Sequence, residues 1–177
     1  MIYGYSGNNR QLFLCDQMIH ACYLAAMKKS WVYFLICTAM VQFAAAQSAE
    51  DDVKKVVSRL FDGMRNADSI AVLSVFTSNA IMQTIAVNKE GKTSIRQDQV
   101  SGFASFVGKQ NKGAADEQIV FENIRIDGDL ATAWTPYRFV YNGTFSHCGV
   151  NSFTLVRING EWKINYLIDT RRKEGCK

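Results

Sequence analysis

The sequence predicts an α+β domain in which N-terminal helices sit in the cone of a strongly curved antiparallel sheet. Three observations carry this. Helical periodicity is concentrated between residues 48 and 107. The turn dipeptides Asp127-Gly128, Asn142-Gly143 and Asn159-Gly160 divide the second half into long runs rich in β-branched and aromatic residues. No internal repeat or low-complexity tract interrupts this order.

The elements follow in chain order. Val53, Val56, Val57, Leu60, Phe61 and Met64 recur at steps of three and four, one face of an amphipathic helix. Glu50-Asp51-Asp52 sits at its start, where negative charge suits the helix dipole, and Gly63 is near its end. A shorter helix fits Asp68 to Phe76, with Asp68 as N-cap and Ile70, Leu73 and Phe76 facing inward. Ile81 to Val87 and Lys92 to Arg96 read as a hairpin around Asn88-Lys89-Glu90-Gly91. Gln97 to Val107 returns to helical spacing through Val100, Phe103, Phe106 and Val107. A β-meander completes the chain: Glu117 to Ile126, Leu130 to Tyr141, Thr144 to Ile158 and Glu161 to Thr170.

The chain has 177 residues, 48% hydrophobic, with a net charge of +4, which suits one globular domain and excludes a disordered one. Arg171-Arg172-Lys173 is the one basic run of the predicted domain and reads as a solvated tail; no basic stripe interleaved with aromatics suggests nucleic acid as a partner. Met27-Lys28-Lys29-Ser30, the apolar run Trp31 to Phe43 and Ala44-Ala45-Ala46 have the layout of a signal peptide. The expected organisation is therefore an upstream extension over 1–26 from a misassigned start, a signal peptide over 27–46 cleaved after Ala46, and a domain over 47–177. The apolar run is too short to span a bilayer core of about 30 Å, so no stable membrane insertion is expected after cleavage and the domain is expected in the periplasm or outside the cell. Cleavage leaves Cys148 and Cys176, an even pair that predicts a disulfide pinning the C-terminus.

Counting cross-strand partners outward from the two Asn-Gly turns places candidate site residues. Tyr141 opposite Thr144 sets Trp134 against Asn151 and Arg138 against His147. Ile158 opposite Glu161 sets Phe153 against Tyr166 and Asn151 against Ile168. On this count Trp134, Arg138, His147, Asn151 and Tyr166 share the concave face and line a pocket beside Phe61 and Met64. Asp169 falls on the opposite face from His147. Pro136 and Gly149 are the expected bulge points. His147, the one histidine of the predicted domain, is either a general acid or base or a hydrogen-bonded core residue. Arg138 either clamps an anion or pairs with Asp169 or Glu122. Trp134 is either a ligand platform or core. No metal-ligand spacing, phosphate-cradling glycine loop or nucleophile elbow is legible, and no cofactor is expected.

Phe61-Asp62-Gly63-Met64-Arg65-Asn66-Ala67-Asp68 resembles the first helix and turn of nuclear transport factor 2-like (NTF2-like) proteins. Ala133-Trp134-Thr135-Pro136-Tyr137, the segment His147 to Phe153, Gly160-Glu161-Trp162-Lys163-Ile164 and the ending Asp169 to Cys176 resemble the bacterial branch labelled "putative lumazine-binding", close to the SnoaL-like proteins. The resemblance implies a cystatin-like cone. It also implies one of three uses: binding a small molecule of unknown identity, an isomerase, dehydratase or cyclase with His147 as general acid/base, or a non-catalytic structural or homodimer-forming domain.

Overall fold

The computed structural model describes residues 49–176. The expectations for the extension and the signal peptide lie outside the described residues. Helix α1 (49–65) buries Val53, Val57, Leu60, Phe61 and Met64 and leaves its acidic first turn exposed. Its last turns pack on helix α2 (Ser69–Ser74) through Gly63, where an added Cβ would come within 3.0 Å of Val72 Cγ2. Asp68 caps α2 as predicted, accepting from the Ile70 and Ala71 N–H groups at 3.0 and 2.9 Å. The inward face of α2 differs from expectation: Val72 is buried and Ile70 is exposed, because contact with Gly63 selects the small face.

The strands are β1 (Phe76–Val87), β2 (Thr93–Asp98), β3 (Ala115–Ile119), β4 (Asn123–Asp127), β5 (Leu130–Tyr141), β6 (Thr144–Ile158) and β7 (Glu161–Arg172). Helix α3 (Val100–Gly108) lies between β2 and β3. They form one curved, unclosed sheet in the order β2-β1-β7-β6-β5-β3, with β4 also paired to β5. All pairs are antiparallel except β1 with β7, which run parallel. The single strand expected over Glu117 to Ile126 is two, both on the same edge of β5. The interruption falls at Pro136, whose carbonyl accepts the Val120 N–H at 2.9 Å but whose ring nitrogen has no proton to return.

Both Asn-Gly turns have the positive φ values that a two-residue hairpin needs: 50° and 78° at Asn142 and Gly143, 52° and 84° at Asn159 and Gly160. The register beyond them departs from the simple count. Ser146 is an extra residue in β6, so Phe139 pairs with His147, Arg138 with Cys148 and Trp134 with Ser152. Asn165 is an extra residue in β7, so Thr154 pairs with Tyr166, Phe153 with Leu167 and Asn151 with Asp169. Neither bulge lies at Pro136 or Gly149. Each extra residue moves every later side chain to the other face. As a result Ala131, Ala133, Thr135 and Tyr137 point inward from β5, while Trp134 and Arg138 are exposed.

The core lies between α1 and the middle of the meander. Phe61 meets Phe153 edge to face, with ring centroids 6.2 Å apart. Phe153, Leu155 and Ile164 are fully buried beside them. Cys148 and Cys176 are bridged, with Cα atoms 5.8 Å apart, which fastens the tail to β6 as the cysteine count predicts.

Candidate functional site

A cavity of about 640 Å³ opens between α1, α3 and the concave face of the sheet. Its walls are apolar: Leu60, Phe61 and Met64 from α1, Phe103, Phe106 and Val107 from α3, and Met82, Phe139 and Leu167 from the sheet. One end is polar. There Glu117 on β3, His147 and Asn151 on β6, and Asp169 and Arg171 on β7 converge, with Thr84 on β1 and the Arg96–Asp98 pair on β2. Two bulges and one glycine bring these groups together. Ser146 sets Phe139 and Thr135 of β5, and not Arg138 and Trp134, beside His147 and Asn151, and Asn165 turns Asp169 and Arg171 inward. At Gly149 a Cβ would overlap the Thr170 carbonyl and crowd the Tyr137 ring, so only glycine lets that ring lie across β6.

Asp169 is the best-satisfied group of the polar end. It accepts from Thr84 Oγ1 at 2.6 Å, Tyr137 Oη at 3.0 Å and Arg171 Nε at 2.8 Å. The Tyr137 hydroxyl also lies 2.9 Å from the Thr170 carbonyl, and burial followed by the neighbouring Asp169 charge raises its pKa. The guanidinium of Arg171 reaches Thr84 Oγ1 as well, at 3.2 Å. Asp169 and Arg171 therefore form a paired, hydrogen-bonded unit that the fold holds in place.

Glu117 is different. One hydrogen bond serves it, from Asn151 Nδ2 to Oε1 at 2.8 Å. It is half-buried in the cavity wall, and desolvation pushes its carboxyl up to about 7; the Asp169 charge adds to this, against the Asn151 hydrogen bond and Arg171. His147 shifts the other way. Desolvation first, then the Arg171 charge, lower its pKa and favour neutral imidazole. Its ring packs edge-on to Tyr137 at 5.7 Å and tilted against Phe139 at 5.1 Å, while Nδ1 lies 3.0 Å from Ser146 Oγ.

Of the residues singled out by the strand count, His147 and Asn151 line this cavity. Trp134, Arg138 and Tyr166 do not: the bulges place them on the convex face. Trp134 is 46% exposed. Arg138 lies over the Phe145 ring at 5.1 Å. Tyr166 donates to Gln83 Oε1 at 2.7 Å. Asp169, expected opposite His147, shares its cavity. The count missed Glu117 altogether, because β3 follows a loop with no turn to anchor its register. Its one signal is alternation: Glu117 occupies the inward position between Ala115 and Ile119, where an apolar residue would be expected.

Comparison with known proteins agrees with this geometry. Residues 48–166 match the sequence family described as "Putative lumazine-binding". No curated protein sequence matches. Among solved structures, an NTF2-like protein with a cystatin-like fold from Novosphingobium aromaticivorans is similar over 78% of this chain and 90% of its own, at 14% identity and a TM-score of 0.60. An NTF2-like protein of unknown function from Shewanella baltica is similar over 72% and 96%, at 17% identity and a TM-score of 0.57. A domain of unknown function with a cystatin-like fold from Nostoc punctiforme is similar over 70% and 76%, at 15% identity and a TM-score of 0.55. At these identities the structures speak for the fold alone. With more than half its length matched, the chain belongs to the family described as "Putative lumazine-binding", and its fold is that of the NTF2-like, cystatin-like structures.

Proposed function

We propose that residues 47–177 are an exported small-molecule-binding domain whose ligand sits in the cone. One observation carries this reading. The cavity of about 640 Å³ has aromatic and aliphatic walls and a small set of polar groups converging at one end, which is the composition of ligand pockets in general. A cone serving only as core would instead be filled by side chains. Export is supported by the signal-peptide layout of residues 27–46 and by the Cys148–Cys176 bridge, which suits an oxidising compartment. Native mass spectrometry of the purified protein tests ligand binding. A co-purifying mass lost from a Leu60→Trp variant, which narrows the cone, is the expected result. The same mass retained by that variant would reject the cone as the site.

A second reading has a specific observation behind it. Glu117, raised to about 7, and neutral His147 flank one cavity, as proton transfer near neutral pH requires. An isomerase, dehydratase or cyclase would then use Glu117 with His147, in place of His147 alone. For any substrate turned over, Glu117→Gln should abolish kcat with little change in binding, and full activity in that variant would reject the role.

A further inference from the structure

The polar end of the cavity has an unequal balance of charge. Arg171 is committed to Asp169 at 2.8 Å and Arg96 to Asp98 at 3.1 Å, so neither cation of the lining is spare. His147 is held neutral by desolvation and by Arg171. Glu117 remains as the one lining carboxyl without a cationic partner, with a single hydrogen bond at Oε1 and none at Oε2 among the described residues. An ionised Glu117 leaves the lining with one net negative charge. The aromatic residues Phe139, Tyr141, Phe103 and Phe106 surround the same space, and their ring faces attract cations.

We propose that the cone selects ligands with a cationic or strongly hydrogen-bond-donating head on an aromatic body, the head pairing with Glu117 and the body lying among the α1 and α3 side chains. The inference rests on the binding reading above and assigns its ligand class. An anionic head would meet Glu117 and Asp169 with no free arginine to offset them. A cationic head supplies the donor that Glu117 Oε2 lacks and turns an unpaired, half-buried carboxylate into a charge-assisted pair.

The groups facing Glu117 fix the pH behaviour. Asn151 and His147 come from β6, Asp169 and Arg171 from β7, Tyr137 and Tyr141 from β5, and the Arg96–Asp98 pair from β2, while α1 and α3 contribute only uncharged side chains to the lining. Glu117 and His147 are the groups that change. Both gain a proton as pH falls, and both changes weaken a cation.

The test uses three probes of one shape and different head charge: 2-naphthylmethylamine, 2-naphthylmethanol and 2-naphthoic acid. Each is titrated into the full chain and into Glu117→Gln, with affinities and binding positions read from amide chemical shifts. At pH 8 the amine should bind at least about tenfold more tightly than the alcohol, and the acid most weakly. From pH 8 to 6 the amine affinity should fall about tenfold as Glu117 protonates. Glu117→Gln should bring the amine to the level of the alcohol and leave the alcohol unchanged. Equal affinities for the three probes, or tightest binding by the acid, with shifts mapping to the cavity, would overturn the ligand class and leave the binding reading intact. No cavity shifts with any probe would overturn both.

Discussion

The two ends of the concave face are built from the same strands and differ in almost every physical respect. Toward the Asn159-Gly160 turn, Leu155, Ile164 and Trp162 are buried in one apolar cluster with the α1 side chains. Toward the other end, the same β6 and β7 present His147 and Asn151 and, beyond the bulge at Asn165, Asp169 and Arg171 to an open cavity. On β7 the inserted Asn165 makes the difference, bringing Asp169 and Arg171 inward where Ile168 and Thr170 would have continued the alternation, while on β6 an unbroken alternation from Leu155 and Phe153 turns polar at Asn151 and His147. The dry end supplies the folding free energy that holds charged groups in the wet end, which would otherwise be better solvated in the unfolded chain.

That division of labour can be broken at several points. The largest effect is expected in the dry end. Phe153→Ala removes a fully buried ring packed on Phe61 and should destabilise by about 3–5 kcal/mol, measured by denaturant unfolding. A loss below about 1 kcal/mol would mean that this end is not the stabilising one. Cys176→Ser opens the loop closed by the disulfide, which spans a separation of 28 residues. It should destabilise by about 3.5 kcal/mol in the chain-entropy description, an effect that a reductant reproduces in the wild type and not in the variant.

A smaller effect lies where the two ends meet. Thr135 is fully buried, pairs with Asn151 across the ladder, and its hydroxyl has no hydrogen-bond partner among the described residues. Thr135→Val keeps the shape and removes the orphan group, so the unfolding midpoint should rise by the equivalent of about 1 kcal/mol. A fall would show that a bound group satisfies the hydroxyl in solution. The smallest effect is expected on the convex face. Trp134→Ala should change stability by about 0.5 kcal/mol and leave cavity ligands unaffected. A large loss of ligand affinity would return Trp134 to the site and contradict the register.

How much of this was legible in the sequence follows from the same contrast. The helical period of α1, the Asp68 cap, both Asn-Gly turns and the cysteine pair are local or near-local signals, and each appears in the structure. The dry end is legible too, since Leu155 opposite Ile164 lies within the unbroken register of its turn. The site is only half legible. His147 and Asn151 were placed on the right face, but Trp134, Arg138 and Tyr166 were not, because a bulge leaves no mark in composition. Ile164, Tyr166 and Ile168 even continue a false alternation across Asn165. Glu117 was hidden because its pairing with β5 is set by long-range contacts and by the break at Pro136, not by a turn.

The polar end of the cone turns most on Glu117 being a half-buried, under-solvated carboxyl. Carbon-13 detected titration of its side-chain carboxyl tests this directly. A midpoint near 7 is expected. Because the folded value is raised above the ordinary 4.5, the protonated form stabilises the fold below pH 4.5, and that contribution is lost as pH rises through 7. The wild type should therefore lose about 3 kcal/mol relative to Glu117→Gln between pH 4.5 and 8. A midpoint near 4.5, with no such difference between the two proteins, would mean that Glu117 is freely hydrated and would contradict the site described for this cone.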